Sequence, residues 1–219
     1  MIYSGAQIKP TIFPKTVDAA FGTKMFDDGL LGTSKVYMQQ THGDSIAFIQ
    51  KKSQVGHVDG VMTSQKNTSL CVLTADCVPI LYYDSVHGLI GVSHQGWRGT
   101  LLRMPHKMLQ YFNAHGSTPE SMHVAIGPSI GACCYEIYGE RKNLFQKEFA
   151  NYGDIFVKNN DKTMLNLALV NYQMLREAGV CVENIEYCLD CTACRNDVFY
   201  SYNKGNTGRN ISYIKNCVL

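Results

Sequence analysis

An α/β (α+β) fold resting on mixed sheets is the class this sequence predicts, and three observations carry it. Short β-branched and aromatic runs recur along most of the chain, helical patterns lie between them, and Gly and Pro are scattered rather than gathered into a linker. The 219 residues read as one domain spanning 1–219, long enough to bury a core.

The elements follow in order. Residues 1–32 read as an irregular segment that wraps the surface: Pro10, Pro14 and Gly22 punctuate it, and Phe26-Asp27-Asp28-Gly29 looks like a turn. Strand-like runs come next at 35–39, 45–50, 70–75, 80–83 and 89–93. A helical pattern over 101–114 sets Leu102, Leu109 and Phe112 along one side. Pro105 has no N–H to donate and fits only in a first turn, so the regular helix should begin near Met104. After a strand at 123–126, a second pattern over 138–152 carries Leu144, Phe145 and Phe149. The third, over 165–178, carries Leu165, Leu169, Tyr172 and Leu175 and stops at Gly179, which suits a left-handed cap. Strands at 185–189, 198–202 and 211–214 complete the pattern.

Charge and composition narrow the function. Twenty Lys and Arg against 18 Asp and Glu leave +2, with the signs interspersed, so the electrostatic footprint of a nucleic-acid binder is missing. No window approaches the roughly 18 apolar residues of a membrane span, and the N-terminus lacks a signal-peptide layout. The expectation is a soluble, cytoplasmic protein with no nucleic-acid or membrane partner; the oligomeric state is not legible, with a monomer favoured. Nine cysteines are an odd number without an export signal, so reduced thiols are expected.

Three segments share one design, in which an apolar strand runs into a polar elbow carrying a metal-competent side chain. They end in Gln40-Thr41-His42-Gly43, Ala75-Asp76-Cys77-Val78-Pro79 and His94-Gln95-Gly96-Trp97-Arg98-Gly99. Two imidazoles and a thiolate are ligand types zinc accepts, and three protein ligands leave the open fourth position of a catalytic site. A lone histidine or a buried cysteine is more commonly core or surface material, and spacing alone does not bring these three together. The flanking Gly, Asp and Pro shape strand ends, which favours the elbows. Gly96-Trp97-Arg98-Gly99 adds a candidate anion site, with Arg98 facing phosphate; it lacks the Lys-Ser/Thr of a Walker loop. Trp97 as a core aromatic and Arg98 as a surface ion-pair partner are equally good readings. Asp76, next to Cys77, is a candidate for orienting a ligand or transferring a proton.

Further along, Ala125-Ile126-Gly127-Pro128-Ser129-Ile130-Gly131-Ala132-Cys133-Cys134-Tyr135-Glu136 also follows a strand, is rich in turn residues and could line the same cleft. Cys133 and Cys134 are adjacent, but a vicinal disulfide is strained and unexpected in a reducing cell, so burial of one or both as thiols is expected. Cys188, Cys191 and Cys194 make overlapping C-x-x-C spacings; a structural zinc needs a second ligand pair, none lies nearby, and a loop of reduced thiols is the reading. Tyr202 and Arg209 could meet a ligand or simply complete a strand pair.

Taken together, Gln40-Thr41-His42-Gly43, Asp59-Gly60-Val61-Met62-Thr63, Thr74 to Pro79, His94 to Gly99, Ile126 to Ile130, Cys133 to Glu136, Cys191-Thr192-Ala193-Cys194 and Phe199 to Tyr202 resemble the YfiH family. That family has been called laccase-like polyphenol oxidase, purine nucleoside phosphorylase and peptidoglycan editing factor. The resemblance runs from about Lys35 onward. It implies duplicated β-rich units forming stacked mixed sheets with outer helices, and it implies His42, Cys77 and His94 as zinc ligands. It also implies phosphorolysis of adenosine, inosine and S-methyl-5'-thioadenosine, and deamination of adenosine. On this reading Asp76, Arg98 and Cys77 serve the chemistry, Gln40, Arg98, Tyr202 and Arg209 bind substrate, and the partners are a nucleoside and phosphate. Two positions depart from the family pattern: Gln95, where alanine is usual, and Asn203, where an arginine commonly follows Ser-Tyr. The competing classes are a copper-dependent polyphenol oxidase and a metal-free cysteine hydrolase with Cys77 as nucleophile, the latter connected to editing of peptidoglycan precursors.

Overall fold

The computed structural model describes residues 1–50 and 54–217. A seven-stranded mixed sheet holds β1 (Ile2–Ser4), β2 (Gln7–Lys9), β3 (Val17–Gly22), β4 (Lys35–Met38), β6 (Gln54–Val55), β8 (Ser69–Thr74) and β16 (Asn210–Asn216), in the order β1-β2-β3-β16-β8-β4-β6. A six-stranded mixed sheet holds β5 (Ile46–Phe48), β7 (Gly60–Thr63), β9 (Val78–Asp84), β10 (Ile90–Gln95), β11 (Met122–Ile126) and β15 (Ile185–Tyr187), in the order β15-β11-β9-β10-β7-β5. A small third sheet pairs β12 (Glu136–Ile137) and β13 (Phe156–Asn159) with β14 (Lys162–Leu165).

The two large sheets are stacked. Phe21, Val36, Val72 and Ile214 of the first pack against Val61, Leu81, Ile90 and Val92 of the second in one buried cluster. On the other face of the six-stranded sheet, Met62, Ile80, Tyr82 and Val124 meet the helices α2 (Met104–Asn113), α3 (Gly139–Glu148) and α4 (Leu167–Glu177) through Met108, Phe112, Phe145, Val170 and Met174. The middle sheet is therefore covered on both sides, which is why β9 and β10 are buried at every position instead of alternating. Each fully buried large side chain in these layers contributes about 1.5–3 kcal/mol. Helix α2 comes close because of Gly60, where a Cβ would lie 2.5 Å from Met104 Cε and 2.7 Å from Met108 Sδ.

Pro105 sits at the first turn of α2, as expected, and Gly179 closes α4 with φ +94°. The Gly96-Trp97-Arg98-Gly99 run is itself helical: it opens the short α1 (Trp97–Leu101), which Arg103, in a left-handed conformation, separates from α2. Other expectations are corrected. The first 32 residues are not irregular throughout, because β3 lies inside the seven-stranded sheet, paired with β16, and buries Val17, Ala19, Ala20 and Phe21; Pro10 and Pro14 fall in the loop before it. Residues 162–165 form a strand, and α4 starts only at Leu167, where the Asn166 side chain accepts the Leu169 amide at 3.0 Å. Residues 198–202 form no strand. Their backbone is satisfied by asparagine side chains: Asn210 exchanges hydrogen bonds with Tyr200 N and O at 2.8 and 2.9 Å, and Asn206 Oδ1 accepts the Ser201 amide at 3.0 Å.

Candidate metal centre

The three elbows converge. His42 leaves β4, Cys77 lies between β8 and β9, and His94 stands near the end of β10. One donor atom from each lies within 4.8 Å of the others, and the two imidazoles meet edge to face with centroids 4.7 Å apart. Two elbow residues hold left-handed backbone that side chains rarely adopt, His42 at φ 60° and Asp76 at φ 87°. Such strain persists only where neighbours over-determine the conformation.

Asp59, fully buried just before β7, does this for the first elbow. Its carboxylate accepts the amides of Thr41, His42 and Gly43 at 3.1, 3.0 and 2.7 Å and the Thr41 hydroxyl at 3.0 Å. It also accepts His94 Nδ1 at 2.8 Å, which fixes the tautomer and leaves Nε2 as the free nitrogen. Burial alone would raise its pKa, but the His94, Gly43 and Thr41 donors hold it well below the usual carboxylate range. Burial likewise works against a charged Cys77, yet the imidazoles of His42 and His94 draw its thiol down towards the thiolate; Asp59 and Cys77 in turn hold His94 up against the effect of its own burial. Gly96 makes the cradle possible, since a Cβ there would lie 3.0 Å from His42 Cδ2 and 3.3 Å from Cys77 Sγ. Two imidazoles, an activated thiol and a carboxylate behind one imidazole make a donor set that fits a single zinc ion.

The two imidazoles and the Cys77 thiol line a cavity of about 840 Å³, with Asp59 buried behind them. Every site residue expected from the sequence borders it: Gln40, His42, Asp76, Cys77, His94, Arg98, Tyr202 and Arg209. Their polar atoms are used differently. The Gln40 side chain pairs with the backbone of Leu73, donating at 2.8 Å and accepting at 2.9 Å, so it extends the β4–β8 pairing. Each Asp76 oxygen already has a donor, Thr192 Oγ1 at 2.6 Å and the Asn203 amide at 2.7 Å, so Asp76 fastens the segment that carries Tyr202. Arg209 donates to the carbonyls of Thr207 and Gly208, each at 2.9 Å. Tyr202 is exposed at the rim, and Asn203 lines the wall beside it. Gln95 is buried against Ser93 and does not border the cavity.

Arg141 on α3, which sequence reasoning passed over, completes the wall together with Tyr135, which belongs to the 125–136 motif expected to line this cleft. The guanidiniums of Arg98 and Arg141 lie over the Trp97 ring, 4.4 and 4.5 Å from its centroid. Among the described residues neither forms a salt bridge, and Arg141 donates only to Tyr135 Oη at 3.4 Å. Two cations held side by side without a carboxylate leave a positive wall beside the donor triad. Asp59 carried a weak signal, an Asp-Gly at a strand start; Arg141, one charged residue among several on a helix, carried none.

Stacked mixed sheets with outer helices, and a His–Cys–His triad at the strand ends, define a class of α/β proteins built around one pocketed donor set. Within that class the chain belongs to the YfiH family, whose sequence model, described as multi-copper polyphenol oxidoreductase laccase, matches residues 23–216. It is 31% identical over 196 residues to purine nucleoside phosphorylase YlmD of Bacillus subtilis, covering 83% of this chain and 70% of that one. It is 33% identical over 193 residues to adenosine deaminase RL5 of an unidentified prokaryote, covering 82% and 74%. The crystal structure of the hypothetical protein YfiH of Bacillus licheniformis superposes with a TM-score of 0.83 at 28% identity, covering 91% of this chain and 92% of that one. No helix among the described residues is long and apolar enough to cross a membrane.

Proposed function

We propose that this protein is a zinc-dependent purine nucleoside enzyme, which cleaves adenosine, inosine and S-methyl-5'-thioadenosine with phosphate and deaminates adenosine. The observation that carries this reading is the sharing of one cavity by the His42–Cys77–His94 triad and the unpaired guanidiniums of Arg98 and Arg141. The names of the relatives, a purine nucleoside phosphorylase and an adenosine deaminase, support the same substrate class. Held by His42, Cys77 and His94, zinc would supply a Lewis acid with one open position.

The remaining work belongs to the chain's own residues. Asp59 keeps His94 in one tautomer and orientation, so the donor geometry is set before substrate arrives. Arg98 and Arg141 offer charge-assisted hydrogen bonds to phosphate, each about 1.5–3 kcal/mol, and hold it against the anomeric carbon. Met38, Leu73, Ile130 and Leu167 give the cavity apolar surface for a flat purine, and its volume of about 840 Å³ admits a nucleoside with phosphate. Asp76 keeps the rim residues Tyr202 and Asn203 over that space through Thr192 and the Asn203 amide.

The oxidase reading is weaker on donor chemistry. Among the described residues the groups able to hold a metal are this triad and one made only of cysteines, and a laccase needs several coppers bound largely by histidine. The test is to incubate zinc-loaded protein with adenosine, with and without phosphate. Adenine with phosphate, and inosine in either case, are expected; no product under either condition overturns the reading.

A further inference from the structure

The sequence offered no second ligand pair near Cys191 and Cys194, and the fold supplies one from about 60 residues away, since Cys133 and Cys194 are separated by 61 positions. Cys133 Sγ lies 3.3 Å and Cys134 Sγ 3.4 Å from Cys194 Sγ, and the sulfurs of Cys133, Cys134, Cys191 and Cys194 all lie within 4.8 Å of one another. We infer that these four cysteines bind one zinc ion as a tetrathiolate, a second metal site separate from the His42–Cys77–His94 triad.

The geometry suits a single ion. With zinc–sulfur bonds of about 2.3 Å, the edge of a tetrahedron of sulfurs is about 3.8 Å. All four cysteines are free thiols; against expectation neither Cys133 nor Cys134 is buried, and Cys133 and Cys194 are exposed, so ordinary core packing does not explain why they gather. The Cys191 sulfur accepts the Gly131 amide at 3.2 Å and the Cys194 amide at 3.5 Å. Backbone N–H groups aimed at a sulfur stabilise it as thiolate, and the bond across Cys191-Thr192-Ala193-Cys194 is the turn that presents both sulfurs of a C-x-x-C to one ion. Soft thiolates alone, in a tetrahedral set, select zinc over harder divalent cations, and its binding releases the remaining thiol protons to solvent. Cys188 takes no part: it is buried in the core between the two large sheets.

The site joins two walls of the cavity. Ser129 bridges to Cys191, and the Thr192 amide donates to Ser129 O at 3.0 Å while its hydroxyl holds Asp76. An ion on the four sulfurs would brace the loop carrying Ile130 and Tyr135 against the segment leading to Tyr202.

Metal content of the purified full-length chain tests this directly. Two zinc ions per chain are expected, falling to one in Cys191→Ser and to one in His94→Ala. If the triad binds no metal, the wild type holds one zinc that Cys191→Ser removes and His94→Ala does not, so the two readings fail separately. Because Cys191→Ser could disturb folding, cobalt(II) is also titrated into Cys77→Ser, which keeps all four cysteines of the cluster. An intense thiolate-to-cobalt charge-transfer band is expected there. Zinc content unaffected by Cys191→Ser, or the absence of that band, or disulfides among the four cysteines in protein purified under reductant, would overturn the inference.

Discussion

Asp59 accepts His94 Nδ1 at 2.8 Å while the same carboxylate gathers the amides of Thr41, His42 and Gly43, so one buried acid positions two of the three candidate ligands. His42 takes its left-handed backbone from this grip and His94 its tautomer.

Replacing Asp59→Asn should therefore weaken zinc binding by roughly 10- to 100-fold, the usual cost of losing the group behind a metal-bound histidine. The amide puts an N–H against donors that need an acceptor. Competition with a chromophoric chelator measures the change. An unaltered affinity would mean that Asp59 only stabilises the fold.

Gly96→Ala should leave the fold intact but impair the site. The added methyl would press on His42 Cδ2 at 3.0 Å and Cys77 Sγ at 3.3 Å, and both must give by a few tenths of an ångström. Misplacement of catalytic groups on the scale of 1 Å can cost about 10²-fold in rate, so a smaller but measurable loss in kcat is expected with an unchanged melting temperature. Full activity would show that the cradle is looser than described.

Arg98→Ala and Arg141→Ala should separate the two reactions. Each removes a charge-assisted contact to phosphate, which raises KM for phosphate by roughly 10- to 100-fold. Deamination of adenosine needs no phosphate and should change little. Equal losses in both reactions would place these arginines on the nucleoside instead.

Acid sensitivity should have a definite sign. Asp84 is fully buried, and burial favours its neutral form, yet the Ser117 hydroxyl at 2.7 Å, the Val86 amide at 3.0 Å and His87 Nδ1 at 2.7 Å hold its pKa down. A carboxyl depressed in the folded state adds stability above its unfolded pKa of about 3.9, and that stability is lost as pH falls through the folded value. Urea midpoints should fall across this acidic range, and Asp84→Asn should flatten the fall while lowering stability at neutral pH. Asp59 contributes with the same sign, so the slope shrinks without vanishing. A variant with the wild-type slope would remove Asp84 from the explanation.

Much of the site was legible because its donors sit where strands end, and Gly, Asp and Pro mark those ends. His42, Cys77, His94 and Arg98 are each preceded by a readable apolar run. What stayed hidden depends on contacts remote in sequence. Nothing around Asp59 shows that His94, 35 positions away, will donate to it. The Cys133–Cys194 pairing is hidden for the same reason. β3 was missed because Val-Asp-Ala-Ala-Phe-Gly has small residues and no alternation, being buried on both faces at most positions. Residues 198–202 misled in the opposite direction: their aromatic content suits a strand, but Asn206 and Asn210 supply the hydrogen bonds that a neighbouring strand would give.

The most direct test of the central claim is anomalous diffraction at the zinc edge from crystals of the purified protein. A peak about 2.0–2.3 Å from one nitrogen each of His42 and His94 and from Cys77 Sγ, open to the cavity, is expected. Density showing those three side chains turned apart, with no anomalous peak between them in zinc-loaded crystals, would contradict it.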